Sequence, residues 1–153
     1  FSDEALMELA ARAYNEKTGA RGLLSVFEKV LIKFEKKLPS TGVKKLTVDM
    51  ELINNPDSVL EKLVVDDGIK KFQKEFLIDH GIYLSFDNNA FEKISEISKF
   101  QNKKVRDLCD ELFRDYFHGI RLMKLESFTV PGEAVDNPKG FLDEYIKLNY
   151  GKD

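Results

Sequence analysis

Lys17-Thr18-Gly19-Ala20-Arg21-Gly22-Leu23 lies between two segments of helical periodicity, and its reading decides how the chain is put together. Glycine tolerates the left-handed backbone just past a helix end, so Gly19 closes one helix and Ala20 or Arg21 opens the next. Arg21 then stands in a first turn, where its guanidinium joins free backbone N–H groups that favour an anion. A glycine-flanked arginine between helices is also an ordinary connector. The flanks must decide between a joint and a binding site.

On the N-terminal side, Ser2 is a good N-cap, Asp3 and Glu4 suit a first turn, and Leu6, Leu9, Ala10, Ala13 and Tyr14 recur at helical spacing. A helix is expected over 3–17. Beyond the glycines, Leu23, Val26, Phe27, Val30, Leu31, Phe34 and Leu38 form one apolar stripe opposite Glu28, Lys29, Lys33, Glu35 and Lys36. That stripe reads as core, and Pro39 stops the helix. Leu46-Thr47-Val48 is β-prone and predicts a short strand. Asn55-Pro56 pairs an N-cap with proline at the first helical position and opens a short helix to about Val64.

Asp66-Asp67 is expected to cap a further helix over 67–80, with Ile69, Phe72, Phe76 and His80 on one face and Gly81 at its end. Ile82, Leu84 and Phe86 alternate as a strand does, giving a strand over 82–86. Asp87 or Asn88 caps a helix bearing Phe91, Ile94 and Ile97. A second helix from about Asn102 carries Val105, Leu108, Leu112, Phe113, Tyr116 and Phe117. Phe128-Thr129-Val130 is β-prone, and Asn137-Pro138 opens a last helix to about Leu148. His80 and His118 each precede a glycine where a helix is expected to end, and there a cation complements the carbonyl dipole.

The order of elements therefore occurs twice. A shift of 85 residues lays Ala5 on Ala90, Leu9 on Ile94, Arg21 on Arg106, Leu23 on Leu108 and Phe27 on Leu112 without a gap. A shift of 82 lays Leu46–Val64 on Phe128–Ile146 with six identities in 19 positions, among them Asn55/Asn137 and Pro56/Pro138. Such agreement points to a tandem duplication. Nothing ahead of Ser2 except Phe1 matches the helix and strand that open the second copy, so the chain is expected to begin inside a longer protein.

Composition narrows the function classes. A net charge of -3, from 24 basic and 27 acidic residues without a lopsided tail, argues against a nucleic-acid partner held by phosphate neutralisation. A single cysteine, Cys109, excludes an internal disulfide framework and a multi-cysteine zinc site, and fits a reducing, cytoplasmic setting. Two histidines without cysteine or carboxylate at ligand spacing make a poor metal site. No apolar run approaches the roughly 20 residues of a membrane span, so no membrane partner is expected.

With these motifs in place, residues 1–64 resemble the C-terminal small, or lid, subdomain of AAA+ ATPases of the Clp/Hsp100 class, nearest to the ClpX-like unfoldases. The resemblance rests on Phe1-Ser2-Asp3-Glu4-Ala5-Leu6, on Lys17 to Ser25 around Gly19-Ala20-Arg21-Gly22-Leu23, and on Leu38-Pro39-Ser40. Lys70-Lys71-Phe72-Gln73-Lys74-Glu75-Phe76 and Gly81 to Phe86 are similar to the helix and strand that lead into the same lid. The resemblance implies that Arg21 is a sensor-2 arginine, set among Gly19, Ala20 and Gly22, reaching the phosphates of ATP and Mg held by a large ATPase domain in cis. Arginine suits that task because it stays charged and offers phosphate oxygens a rigid fork of donors. The same resemblance implies neighbouring subunits of a ring, a hexamer in this class, and a peptidase or protein client as partners.

The second copy keeps Arg106 but replaces both glycines by Lys104 and Asp107, and a carboxylate there should pair with Arg106 or repel a phosphate. A Gly-x-x-x-x-Gly-Lys loop and an apolar strand ending in paired acids are both absent, so this chain alone should not hydrolyse ATP. The expected fold is α+β, mainly α, with two tandem lid-like units over 1–64 and 65–153. Each is a helix pair plus a short helix and a small β-sheet. The alternative is a lid-derived protein-interaction module that does not bind nucleotide.

Overall fold

The structure is a computed structural model and describes residues 1–15 and 19–150; Lys17, Thr18 and the expected helix end at 17 lie outside the described residues. The fold is mainly helical with one small parallel sheet, and the chain divides into two compact units, Phe1–Val64 and Val65–Asp153.

In the first unit, α1 (Asp3–Asn15) and α2 (Ala20–Lys37) pack as a pair. Ala5, Leu9 and Ala13 bury on one side and Val26, Val30 and Phe34 on the other. Small residues on α1 let the backbones approach, and the branched side chains of α2 fill the space. Ser2 caps α1, its Oγ accepting from the Ala5 N–H at 3.1 Å. Pro39 falls in a 3-10 turn, Leu38–Ser40, that ends α2. The short α3 (Met50–Asn54) is capped by Asp49, whose carboxylate accepts from the Leu52 N–H at 2.9 Å, and it buries Leu52 and Ile53 in the same core.

Pro56 opens α4 (Pro56–His80), which runs unbroken where two helices were expected. Asp66 and Asp67 do not cap a new helix. They pair with Lys70 and Lys71 one turn on, at 2.8 and 3.0 Å, as carboxylates inside a continuous helix do. From Val65 onward the buried side chains of α4 belong to the second core: Val65, Ile69, Phe72 and Phe76 pack with residues of the later elements, while Leu77 and Ile78 are exposed.

The second unit continues with β1 (Tyr83–Phe86), α5 (Asn88–Gln101), α6 (Val105–Phe113), α7 (Tyr116–Leu122), β2 (Ser127–Val130), α8 (Gly132–Asp136) and α9 (Pro138–Tyr150). Strands β1 and β2 are parallel, with Leu84 opposite Phe128 and Phe86 opposite Val130. Gln73 of α4 donates to the Leu84 carbonyl at 2.7 Å, so the helix also satisfies a strand acceptor. His118 and Gly119 sit inside α7 rather than at its end. The expected dipole role of His118 therefore does not hold.

The two units repeat each other in detail. Helices α3 and α8 begin and end 82 positions apart, α4 and α9 open on prolines 82 apart, and α1 and α5 begin 85 apart. Ser2 N–H donates to the Val48 carbonyl at 2.9 Å, and Asp87 N–H to the Val130 carbonyl at 3.1 Å. Edge-on aromatic pairs recur too, Phe1 on Phe27 at 5.3 Å and Phe86 on Phe113 at 5.5 Å.

Two differences correct the expectations. Leu46–Val48 is not a strand among the described residues, because the only ladder rung it receives is the one from Ser2, whereas β2 has all of β1 beside it. The second helices of the two pairs begin 85 apart, at Ala20 and Val105, yet their buried faces are displaced by one residue. Gly22, Val26, Val30 and Phe34 are buried, but 85 positions later stand Asp107, Glu111 and Asp115, which are exposed, and the buried Gly119; 86 positions later stand Leu108, Leu112, Tyr116 and Ile120, all buried or half-buried. The inward register thus sets Arg106 against Ala20, not against Arg21.

Candidate functional site

Gly19 is the residue before α2, with φ 60° and ψ -134°, a region that only glycine occupies without strain. Its carbonyl accepts from the Leu23 N–H at 3.2 Å and closes the first turn. No acid stands in its first turn, and among the described residues no side chain caps its leading N–H groups. Ala20 is the first helical residue. Gly22 is buried and begins the inward face, which puts its contribution in packing rather than at an open site.

Arg21 is exposed and has no hydrogen-bonding or ion-pair partner among the described residues. A cation in the first turn works against the helix dipole, so the guanidinium adds to a locally positive helix end that no described carboxylate neutralises. Between α1 and the start of α2 is an open apolar hollow of about 550 Å³, lined by Ala10, Ala13, Tyr14, Gly19 and Leu23 and not by Arg21. Tyr14 and Leu23 are exposed there, although both were expected on apolar faces. An exposed arginine and the leading amides of α2 are the groups here that an anion would meet.

Arg106 is in a different situation. Its Nε and Nη2 donate to one oxygen of Glu75 at 2.8 and 2.5 Å, and its Nη1 donates to Asp107 at 3.1 Å. The bonds to Glu75, then to Asp107, hold its pKa above the ordinary arginine value. A guanidinium committed to two carboxylates has little left for a phosphate. Gly68 sets up this contact: a Cβ there would stand 2.7 Å from Val105 Cβ, so only glycine lets α4 lie this close to the start of α6.

The remaining reactive groups do not assemble a catalytic set. Cys109 is fully buried, and desolvation pushes its thiol up to about 12. His80 stacks on Phe117 at 3.9 Å, and its carbonyl accepts from Arg121 Nη2 at 3.3 Å; burial, then the Arg121 charge, lowers its pKa. Tyr116 donates to the Pro138 carbonyl at 2.5 Å, and burial raises its pKa. Among the described residues no group of three or more His, Cys, Asp or Glu side chains could hold a metal ion, and no helix is long and apolar enough to cross a membrane.

A second concavity has no counterpart in the sequence reading. A groove of about 730 Å³ lies between α6–α7 and α9, with Leu112, Leu142 and Ile146 in its wall. These positions carry the same apolar periodicity as the core. That is why the sequence did not separate them from it.

Compared with known proteins, the chain matches no family model, and no solved structure matches it.

Proposed function

We propose that the chain is the lid region of a ClpX-like AAA+ ATPase, with Arg21 as the sensor-2 arginine that completes the nucleotide site of a large domain. The observation that carries this reading is the exposed guanidinium of Arg21 in the first turn of α2, which has neither a partner nor a side-chain cap among the described residues. The large domain would hold ATP and Mg and supply the hydrolytic chemistry. This chain's part is to bring Arg21 to the phosphate oxygens. Loss of one phosphate would then remove a charge-assisted contact and re-angle the lid. In a cytoplasmic ring, hexameric in this class, that movement would pass to neighbouring subunits and to a peptidase or protein client.

The second unit supports a separate role in subunit or client contacts, because the hydrogen bonds of Arg106 are already spent on Glu75 and Asp107. If Arg21 has no nucleotide to meet, the same facts support a lid-derived interaction module.

The test is Arg21→Ala in the protein that includes the residues upstream of Phe1. ATP hydrolysis should fall on the order of tenfold or more while the fold is kept. Unchanged hydrolysis defeats the sensor role of Arg21, whereas an upstream sequence with no Gly-x-x-x-x-Gly-Lys loop defeats the ATPase reading and leaves the interaction module.

A further inference from the structure

The geometry points to the α7–α9 groove of the second unit as the docking site for a basic amphipathic helix of a protein partner. The groove lies wholly within the second unit, so this holds whether or not Arg21 meets nucleotide.

The cleft, about 730 Å³, falls in the size range of ligand-binding clefts. Leu112, Gly119, Leu122, Leu142 and Ile146 give it an apolar surface, and Leu122 is 50% exposed. Gly119 shapes this wall, because a Cβ there would come within 2.8 Å of Leu142 and Ile146. Glu111, Asp115 and Asp143 stand around that surface. Glu111 pairs with Lys103, but Asp115 and Asp143 have no ion pair among the described residues. Lys139 and His118 are the other titratable residues of the lining.

The repeat shows what is special here. In the first unit Lys33 of α2 reaches Asp57 of α4 at 2.6 Å and ties the matching helices together. The second unit has His118 or Gly119 in place of Lys33 and Lys139 in place of Asp57, so the cross-helix ion pair is gone. What remains is an open apolar channel with unneutralised carboxylates.

No buried side-chain polar atom lacks a partner among the described residues, so no buried group there awaits a small polar ligand. The recognition elements are apolar wall and acidic rim. An amphipathic helix meets both, laying an i, i+3, i+4, i+7 stripe in the channel and placing lysine or arginine against Asp115 and Asp143.

The experiment uses the intact chain and two fluorescent peptides about 18 residues long, five turns of helix, with the same leucine stripe. One carries lysine and the other glutamate on the remaining positions. The lysine peptide should bind with micromolar affinity at low salt, and the glutamate peptide about tenfold or more weaker. Asp115→Lys with Asp143→Lys, and separately Leu122→Glu, should each weaken the lysine peptide about tenfold or more, while Glu92→Lys on α5 changes it less than about twofold. No binding by the lysine peptide, equal binding of both peptides, or equal effects of the groove and Glu92 variants would overturn the proposal. Circular dichroism on each variant separates lost binding from lost fold.

Discussion

Gly19 and Gly81 both take positive φ, 60° and 68°, with open space where a Cβ would go. A substitution at either is therefore strained by backbone alone. Gly19→Ala should destabilise the first unit by about 1–3 kcal/mol, read as a lower urea midpoint with an unchanged slope. Arg106→Ala, by contrast, removes an ion pair whose side chains are 39% and 47% exposed, and should cost less than about 1 kcal/mol by the same measurement. His80 gives a pH dependence of known sign. Its folded pKa lies below the ordinary 6.5, so its neutral form stabilises the fold fully above that pH, and this is lost as pH falls from there through the folded value. His80→Phe keeps a ring on Phe117 and should flatten that slope in urea titrations between pH 7 and 5. A slope that persists would assign it to other groups. For Arg21 the position in a first helical turn was legible, since the glycine before it marks the joint between two helices. The partners of Arg106 were half legible: Asp107 is adjacent in sequence, whereas Glu75 comes from a helix that only the fold brings near.

At the scale of elements, caps and close approaches dominate. Asp87→Ala removes the acceptor for the Ala90 N–H at 2.7 Å and should cost about 1 kcal/mol. Gly68→Ala is more severe, because the new methyl meets Val105 Cβ at 2.7 Å and the Arg106 backbone N at 3.2 Å, neither of which can swing aside. About 1–3 kcal/mol is expected, with loss of the Arg106–Glu75 pair visible by NMR. The elements that periodicity and caps define were legible in advance: Ser2, Asp87, Pro56 and Pro138 open the helices where their chemistry says. The continuity of α4 was not, because Asp66-Asp67 before an apolar run looks like a cap and only their lysine partners one turn on show otherwise. The strand at 46–48 failed for a different reason. Strand propensity needs a ladder, and a ladder is a property of two segments.

At the scale of the whole molecule, the second unit has a paired sheet and a core of 19 buried residues drawn from helices on both sides of it in sequence, while the first, among the described residues, has no strand and a core of nine. Residues 65–153 expressed alone should therefore show one cooperative thermal transition, and residues 1–64 alone should unfold at lower temperature or without cooperativity. Calorimetry on the two pieces checks this, and the reverse order of stability would contradict it. The one-residue slip between the second helices also changes how the repeat is to be used. One residue turns a helix by about 100°, so two arginines that sit in one column of an alignment point to different sides of their cylinders. Any transfer of a role from Arg21 to Arg106, or back, has to be made in angle around the axis rather than in position along the chain. On that measure the second unit holds no arginine where the first has one.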